Sequence, residues 1–555
     1  GWWWWRASRV IHDLDPQGNS MGIQPIDEFP GFSFLLGDMH PHVLALPFVL
    51  LALALTLNAL KSGTEAPPLE EDKGWLEPLK QLSLLVPLCL GALVFLNTWD
   101  FPIYWLVLVA AYGLGQWERY GRLGRPLLRD LVVTGGVLGV LSILLYLPFY
   151  IGFQSQAGGL LPTLYVGTRF RQYLVMFGPF LVAIAGLLIV LLRRLTVQLP
   201  LRTVLRSWAG WTAAVLLLPL AFMLLLVLAL LLIPQGQELL EGIRRHPAVY
   251  AIVGDDPWMT LVGRLLLVKL RTWVMPLVVG GMAALGMVLL HYGVPSASRH
   301  RLQGATKRIL HHPSIRFALL CAIVGLLLTL SVEYFYLVDN FRVRMNTIFK
   351  FYFQAWVLMA IASAFGAYWL SRKRTRLRLA FLTIFWLLFA LGMFYPVLGN
   401  ISRAGNLSHA PNLDGTAYLQ DSHPDDYAAI AWLNEQIDGA PVILEAPGAG
   451  GSSYVYEGRV SALTGLPTLL GWAGHEGQWR GSYEVQAERE PDIDTIYNTL
   501  EPQAALTLLD KYAITYVYVG PLEQTKYDPR GLEKFESFMD IVYREGAVTI
   551  YRVRK

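Results

Sequence analysis

The sequence predicts an α-helical polytopic membrane protein of about ten transmembrane helices, followed by a C-terminal extracytoplasmic α/β domain. Three observations predict it. Of 555 residues, 54% are hydrophobic and 15% charged, against roughly 25% charged in soluble domains. Apolar runs of spanning length recur up to residue 399, and mean hydropathy is +0.43. Lys and Arg collect in every second loop between those runs. A net charge of +4, with the basic residues in those loops, gives a nucleic-acid partner no support. Cys89 and Cys321 lie inside apolar runs and read as small buried hydrophobes.

The apolar runs are 43–60, 82–98, 102–118, 131–150, 173–192, 209–233, 272–292, 317–337, 351–370 and 379–399. Asp100 and Pro102 separate the second from the third. Arginines follow the third run (Arg119, Arg122, Arg125, Arg129) and the fifth (Arg193, Arg194, Arg202, Arg206). They follow the seventh (Arg299, Arg301, Lys307, Arg308) and the ninth (Arg372 to Arg378) as well. The excess marks the cytoplasmic side. The loops 1–42, 97–101, 151–172, 234–271 and 333–350 then face out, as does everything after 400. With residue 1 outside, at least one further span upstream is expected. Trp2 to Trp5 read as interfacial tryptophans at the exit of that helix, and 258–271 reads as an amphipathic surface helix.

The division expected is an outer loop at 1–42, a transmembrane domain at 43–399 and an outer α/β domain at 400–555. In the last, 425–437 and 531–539 read as helices, and 441–445, 514–519 and 548–552 as strands.

Candidate chemistry lies in the outer loops. Asp38, His40 and His42 put a carboxylate and two imidazoles within five residues, just ahead of the first run. Ionisable groups at a membrane border are costly and mark function. Asp38 can serve as a base or a metal ligand, and His40 and His42 as ligands or proton shuttles; the plain alternative is a polar loop capping the helix. A divalent ion, Mg or Mn, would sit on Asp38 and His40. Arg342 and Arg344 are spaced to grip a phosphate with forked donors, with Lys350 as a point charge and Asp339 as their counter-ion; internal salt bridges are the alternative. Asp100, Arg169 and Arg171 face the same side. In the C-terminal domain, His475, Glu476, Trp479 and Arg480 follow a glycine-rich turn and offer stacking and hydrogen bonds to a sugar; a tight structural loop is the alternative. Gly448 to Ser453 lacks the Gly-Lys-Ser/Thr ending of a P-loop.

Asp27 to His42, Asn97 to Pro102 and Asp339 to Tyr352 together resemble the Chlor-Arch-YYY family of uncharacterised polytopic membrane proteins, over most of 1–399. That family is similar in architecture to the GT-C glycosyltransferases. The resemblance implies a GT-C-like fold, an outward-facing site and an acidic catalytic residue in the first outer loop. The sequence lacks a clear Asp-x-Asp and any Trp-Trp-Asp-Tyr-Gly motif. The function expected is transfer of a sugar from a polyprenyl-phosphate donor to an extracytoplasmic acceptor, a protein or glycan, by a multi-pass protein of the cell membrane. The alternative is a non-catalytic scaffold or assembly subunit of an envelope complex, with partner membrane subunits.

Overall fold

The computed structural model describes residues 3–14, 20, 24–37, 39–65, 83–121, 124–153, 158–163, 166–245, 250, 263, 267–293, 302–339, 341, 343–405 and 412–554. The chain forms two compact units, Gly1–Ser408 and His409–Lys555.

The first unit is a helical bundle. A short helix, α1 (Pro30–Leu36), leads into α2 (Pro41–Glu65), α3 (Leu85–Leu96), α4 (Asp100–Tyr120) and α5 (Arg125–Leu144). Then come α6 (Phe170–Thr196), α7 (Leu201–Leu232), α8 (Val274–Gly293), α9 (Pro313–Ser331), α10 (Met345–Ser371) and α11 (Arg376–Arg403). Among the described residues, eight helices are long and apolar enough to cross a membrane. The other two expected spans are α3 and α4. Only twelve of the described residues in 82–98 are helical, about 18 Å at 1.5 Å per residue, short of a hydrocarbon core of about 30 Å. Helix α4 has the length but begins on Asp100 and ends in Gln116, Glu118 and Arg119.

Burial separates the helices by role. Helix α9 buries 72% of its apolar window and α6 61%, so they form the centre of the bundle. Helices α7 and α11 bury 6% each and present Leu217, Leu218, Phe222, Trp386 and Phe394 outward. Such a surface is stable only against hydrocarbon or another apolar surface. Small residues let the helices close up: a Cβ added at Gly63 of α2 would lie 3.1 Å from the Gly115 Cα of α4. Strand β1 (Gly159–Pro162) pairs antiparallel with β2 (Phe335–Val338), so loops 151–172 and 333–350 meet at one end of the bundle.

Of the tryptophans at the start, Trp2 lies outside the described residues, and Trp3, Trp4 and Trp5 each pack against an aromatic ring of the protein. Trp4 is buried against Phe32 and Leu35 of α1, while Trp3 is exposed. Of the segment expected as a surface helix, 258–271, residues 258–262 and 264–266 lie outside the described residues.

The second unit carries a four-stranded sheet in the order β3 (Val442–Leu444), β4 (Ile514–Val519), β6 (Val548–Val553), β5 (Met539–Glu545). The β3–β4 pair is parallel and the other two are antiparallel. Helix α12 (Pro424–Gln436) corresponds to the predicted 425–437. The helix expected over 531–539 is instead two short helices, Pro529–Glu533 and Phe535–Phe538, and Met539 opens β5. The run Ile541, Val542, Tyr543 is β-branched and aromatic, the residue types that favour a strand. Helices α13 (Ala473–Arg480), α14 (Glu484–Asn498) and α15 (Pro502–Lys511) complete the unit.

Candidate functional site

The described candidate residues of the first unit lie at the end of the bundle where α2, α4, α6 and α10 begin and α9 finishes. The basic loops meet at the other end: Arg316 pairs with Glu118, His311 lies 3.5 Å from the same carboxylate, and Gln198 binds Gln303. The two loop sets read from the Lys and Arg pattern therefore occupy opposite ends of the helices.

Gly37, at φ +75°, ends α1 in the left-handed conformation and turns the chain toward α2. Asp38 lies outside the described residues. His42, in the first turn of α2, is buried. Its Nε2 is 3.2 Å from Ser33 Oγ, and its ring packs edge-on against Phe349 (4.6 Å) and Phe353 (4.4 Å) of α10. His40 lies 5.3 Å from His42 and 6.0 Å from Phe349. Lys350, one residue on, sets its ammonium 4.2 Å above the Trp99 ring. Asp100 follows Trp99 in the chain and is fully buried. Asn97 donates to its Oδ1 at 2.9 Å, and its Oδ2 has no hydrogen-bond partner among the described residues. Buried unpartnered carboxylate oxygens are costly and belong to strained or functional sites. Asp339 accepts from the Asn346 amide at 2.7 Å and the Phe341 N–H at 2.9 Å.

Arg342 lies outside the described residues. Arg344 is 1% exposed and held by carboxylates. Nε and Nη2 reach Asp13 at 3.1 and 2.5 Å, and Nη1 reaches Glu333 at 2.9 Å and Thr168 Oγ1 at 3.2 Å. The second Glu333 oxygen takes the Thr168 N–H at 2.9 Å, and Lys269 binds the Glu333 carbonyl at 2.8 Å. Burial pushes the Glu333 carboxyl up, but Arg344 and Lys269 outweigh it and hold it below its ordinary range. Arg344 thus ties the segment before Asp13 to the loops around Thr168 and Glu333. Arg169 occupies the N-cap position of α6 and Arg171 is exposed in its first turn, and neither enters that cluster. Among the described residues, no three of His, Cys, Asp and Glu come together as a metal site.

Sequence reasoning singled out Arg344 but not Asp13, which is 331 residues away and carries no motif. It likewise missed Ser33 and Asp27. Asp27 is fully buried and its Oδ2 accepts the N–H groups of Val10 (3.0 Å) and Ile11 (3.2 Å). Burial pushes its carboxyl up from 3.8 to about 7, against those bonds and Arg9. The fold therefore favours the protonated form. The stability this gives is present at acid pH and lost as pH rises through about 7, on the order of 1.4 kcal/mol per unit across the window. Thermal unfolding in detergent should show Asp27→Asn flattening the pH dependence between about pH 4 and 7 relative to wild type; parallel curves would refute this.

In the second unit, His475, Glu476, Trp479 and Arg480 line one open groove of about 560 Å³ together with Trp472 and Thr468. Residues three and four apart on α13 share a face, which brings them together. The Gly471 N–H donates to Glu476 at 2.9 Å, fixing the turn into the helix.

The fold and these sites define a multi-pass helical membrane protein with polar clusters at one end of the bundle. Residues 1–359 match a family described as uncharacterised membrane proteins, DUF2298, and the chain belongs to that family. A comparison with curated proteins gives no match.

Proposed function

We propose that the protein is a GT-C-like glycosyltransferase, as the resemblance to the Chlor-Arch-YYY family implies. It would move a sugar from a polyprenyl-phosphate donor to an extracytoplasmic acceptor. One observation carries the reading: the segment from Met39 to His42 meets the first turns of α10, with His42 on Phe349 and Phe353 and Lys350 close by on Trp99. Asp38, one residue before that segment, would take the proton of the acceptor hydroxyl. The new bond forms at the anomeric carbon as the bond to the phosphate oxygen breaks, and polyprenyl phosphate leaves with the electron pair. General-base help of this kind is worth about 10²–10⁴-fold. Lys350 would meet the charge on the leaving phosphate. Arg344 would hold the loops in place, since its donors are taken up by Asp13, Glu333 and Thr168.

The Lys and Arg pattern supports this end of the bundle, and the C-terminal unit, lying outside the cytoplasm. A lipid-linked donor suits such a site, because sugar nucleotides are cytoplasmic. In purified protein, Asp38→Asn should lower transfer from the lipid-linked sugars of the source membranes at least 100-fold with thermal stability unchanged. Full transfer by the variant would remove the assigned base. A non-catalytic scaffold is the second reading, favoured by the closure of Arg344 into buried ion pairs. Rescue of a deletion strain by Asp38→Asn would select it.

A further inference from the structure

The groove of the second unit has features that tight packing alone does not require. Trp479, in its lining, is 70% exposed, and Tyr454, beside the lining residues His475 and Trp472, is 69% exposed. Tyr454 sits at φ +58°, where a bulky residue is strained, and such strain clusters at binding sites. Its ring packs 4.6 Å from His475 and 5.6 Å from Trp472. The Trp472 indole N–H reaches the carbonyls of Val455 (3.0 Å) and Glu457 (2.6 Å), so its plane is fixed. In the groove wall, Thr468 Oγ1 is buried with no hydrogen-bond partner among the described residues.

We propose that this groove binds a sugar ring of a glycan. The exposed Trp479 face and the hydrogen-bonded Trp472 ring offer a platform to the C–H face of a pyranose. Thr468, Glu476 and Arg480 supply both donors and acceptors, the mixture that sugar hydroxyls require. A volume of about 560 Å³ falls within the roughly 300–1,000 Å³ of small-ligand sites. The inference deepens the transfer reading by naming an acceptor class, a glycan, but it is tested without any donor. Its failure therefore leaves the transfer reading standing, and failure of transfer leaves the groove standing.

The full chain in detergent is applied to an array of hexose, hexosamine, deoxyhexose and uronic-acid oligosaccharides, and bound glycans are measured by calorimetry. Wild type should bind at least one of them. Trp479→Ala should weaken that binding about tenfold. Thr468→Val should weaken it without lowering thermal stability, and exposed Leu500→Ala should leave it unchanged. Absence of binding by wild type, or equal binding by Trp479→Ala, overturns the proposal.

Discussion

Arg459→Met is expected to unfold the C-terminal unit or lower its melting temperature by about 10 °C or more. Arg459 is 1% exposed and faces three buried carboxylates. Its Nε lies 3.0 Å from Asp426, Nη2 lies 2.9 Å from Glu523, and Nη1 is 3.8 Å from Glu445. The carboxylates are otherwise satisfied. Asp426 takes the hydroxyls of Tyr456 and Tyr518, Glu445 the N–H groups of Val460 and Ser461, and Glu523 those of Ala446 and Gly520. Burial works against the Asp426 charge, yet Arg459 and the tyrosines hold its carboxyl below the ordinary range. Glu445, further from the guanidinium, is pushed up by burial. Breaking a buried pair costs about 3–5 kcal/mol, because the remaining charge has no counter-ion. Total stabilities are about 5–15 kcal/mol, and each kcal/mol shifts a domain of this size by about 2–4 °C. Arg459→Lys should recover only part, since an ammonium cannot fork between Asp426 and Glu523. Limited proteolysis of the full chain reads the outcome; a wild-type cleavage pattern for Arg459→Met would contradict it.

Arg344→Met should cost the membrane unit about 3–5 kcal/mol by the same physics, since Asp13 and Glu333 are 5% and 3% exposed in their side chains. The distinguishing feature is non-additivity. Asp13→Asn and Glu333→Gln should each destabilise the wild type, yet together restore part of what Arg344→Met loses, because they remove the stranded charges. Thermal unfolding of the single, double and triple variants in detergent measures this coupling. Additive losses would show that the cluster contributes no more than its separate contacts. Transfer activity should fall with Arg344→Met too, through the loops it ties to Asp13 rather than through lost contact with substrate.

Much of this architecture was legible because a bilayer imposes length. Runs such as 173–192 and 351–370 lie inside α6 and α10, and the arginines after 192 and 370 marked the opposite end of the bundle from β1 and β2. Strands at 514–519 and 548–552 carried enough β-branched and aromatic residues to be read directly. Helix α14 escaped because its buried apolar residues, Ile493, Ile496 and Tyr497, sit near its end and Pro491 within it reads as a helix breaker, although the helix runs through it. The candidate site was legible as a list of ionisable residues but not as an arrangement. That Arg344 is sequestered depends on Asp13, and that Asp100 keeps an oxygen without a partner among the described residues depends on how deeply it sinks into the start of α4. Neither follows from local sequence, because both are set by long-range packing. His475, Glu476, Trp479 and Arg480 were legible together because they are close in the chain, but as a glycine-rich loop; the structure makes Ala473–Arg480 a helix, whose spacing of three and four puts them on one face.

Sugar transfer itself is the most direct test. The wild-type chain is placed in liposomes with lipid extract from the source membranes, and free polyprenyl phosphate and glycosylated acceptor are followed by mass spectrometry. Both should appear together, in equal amounts, and only when the protein is present. Intact polyprenyl-linked sugar, with neither product formed, would contradict the proposed transfer.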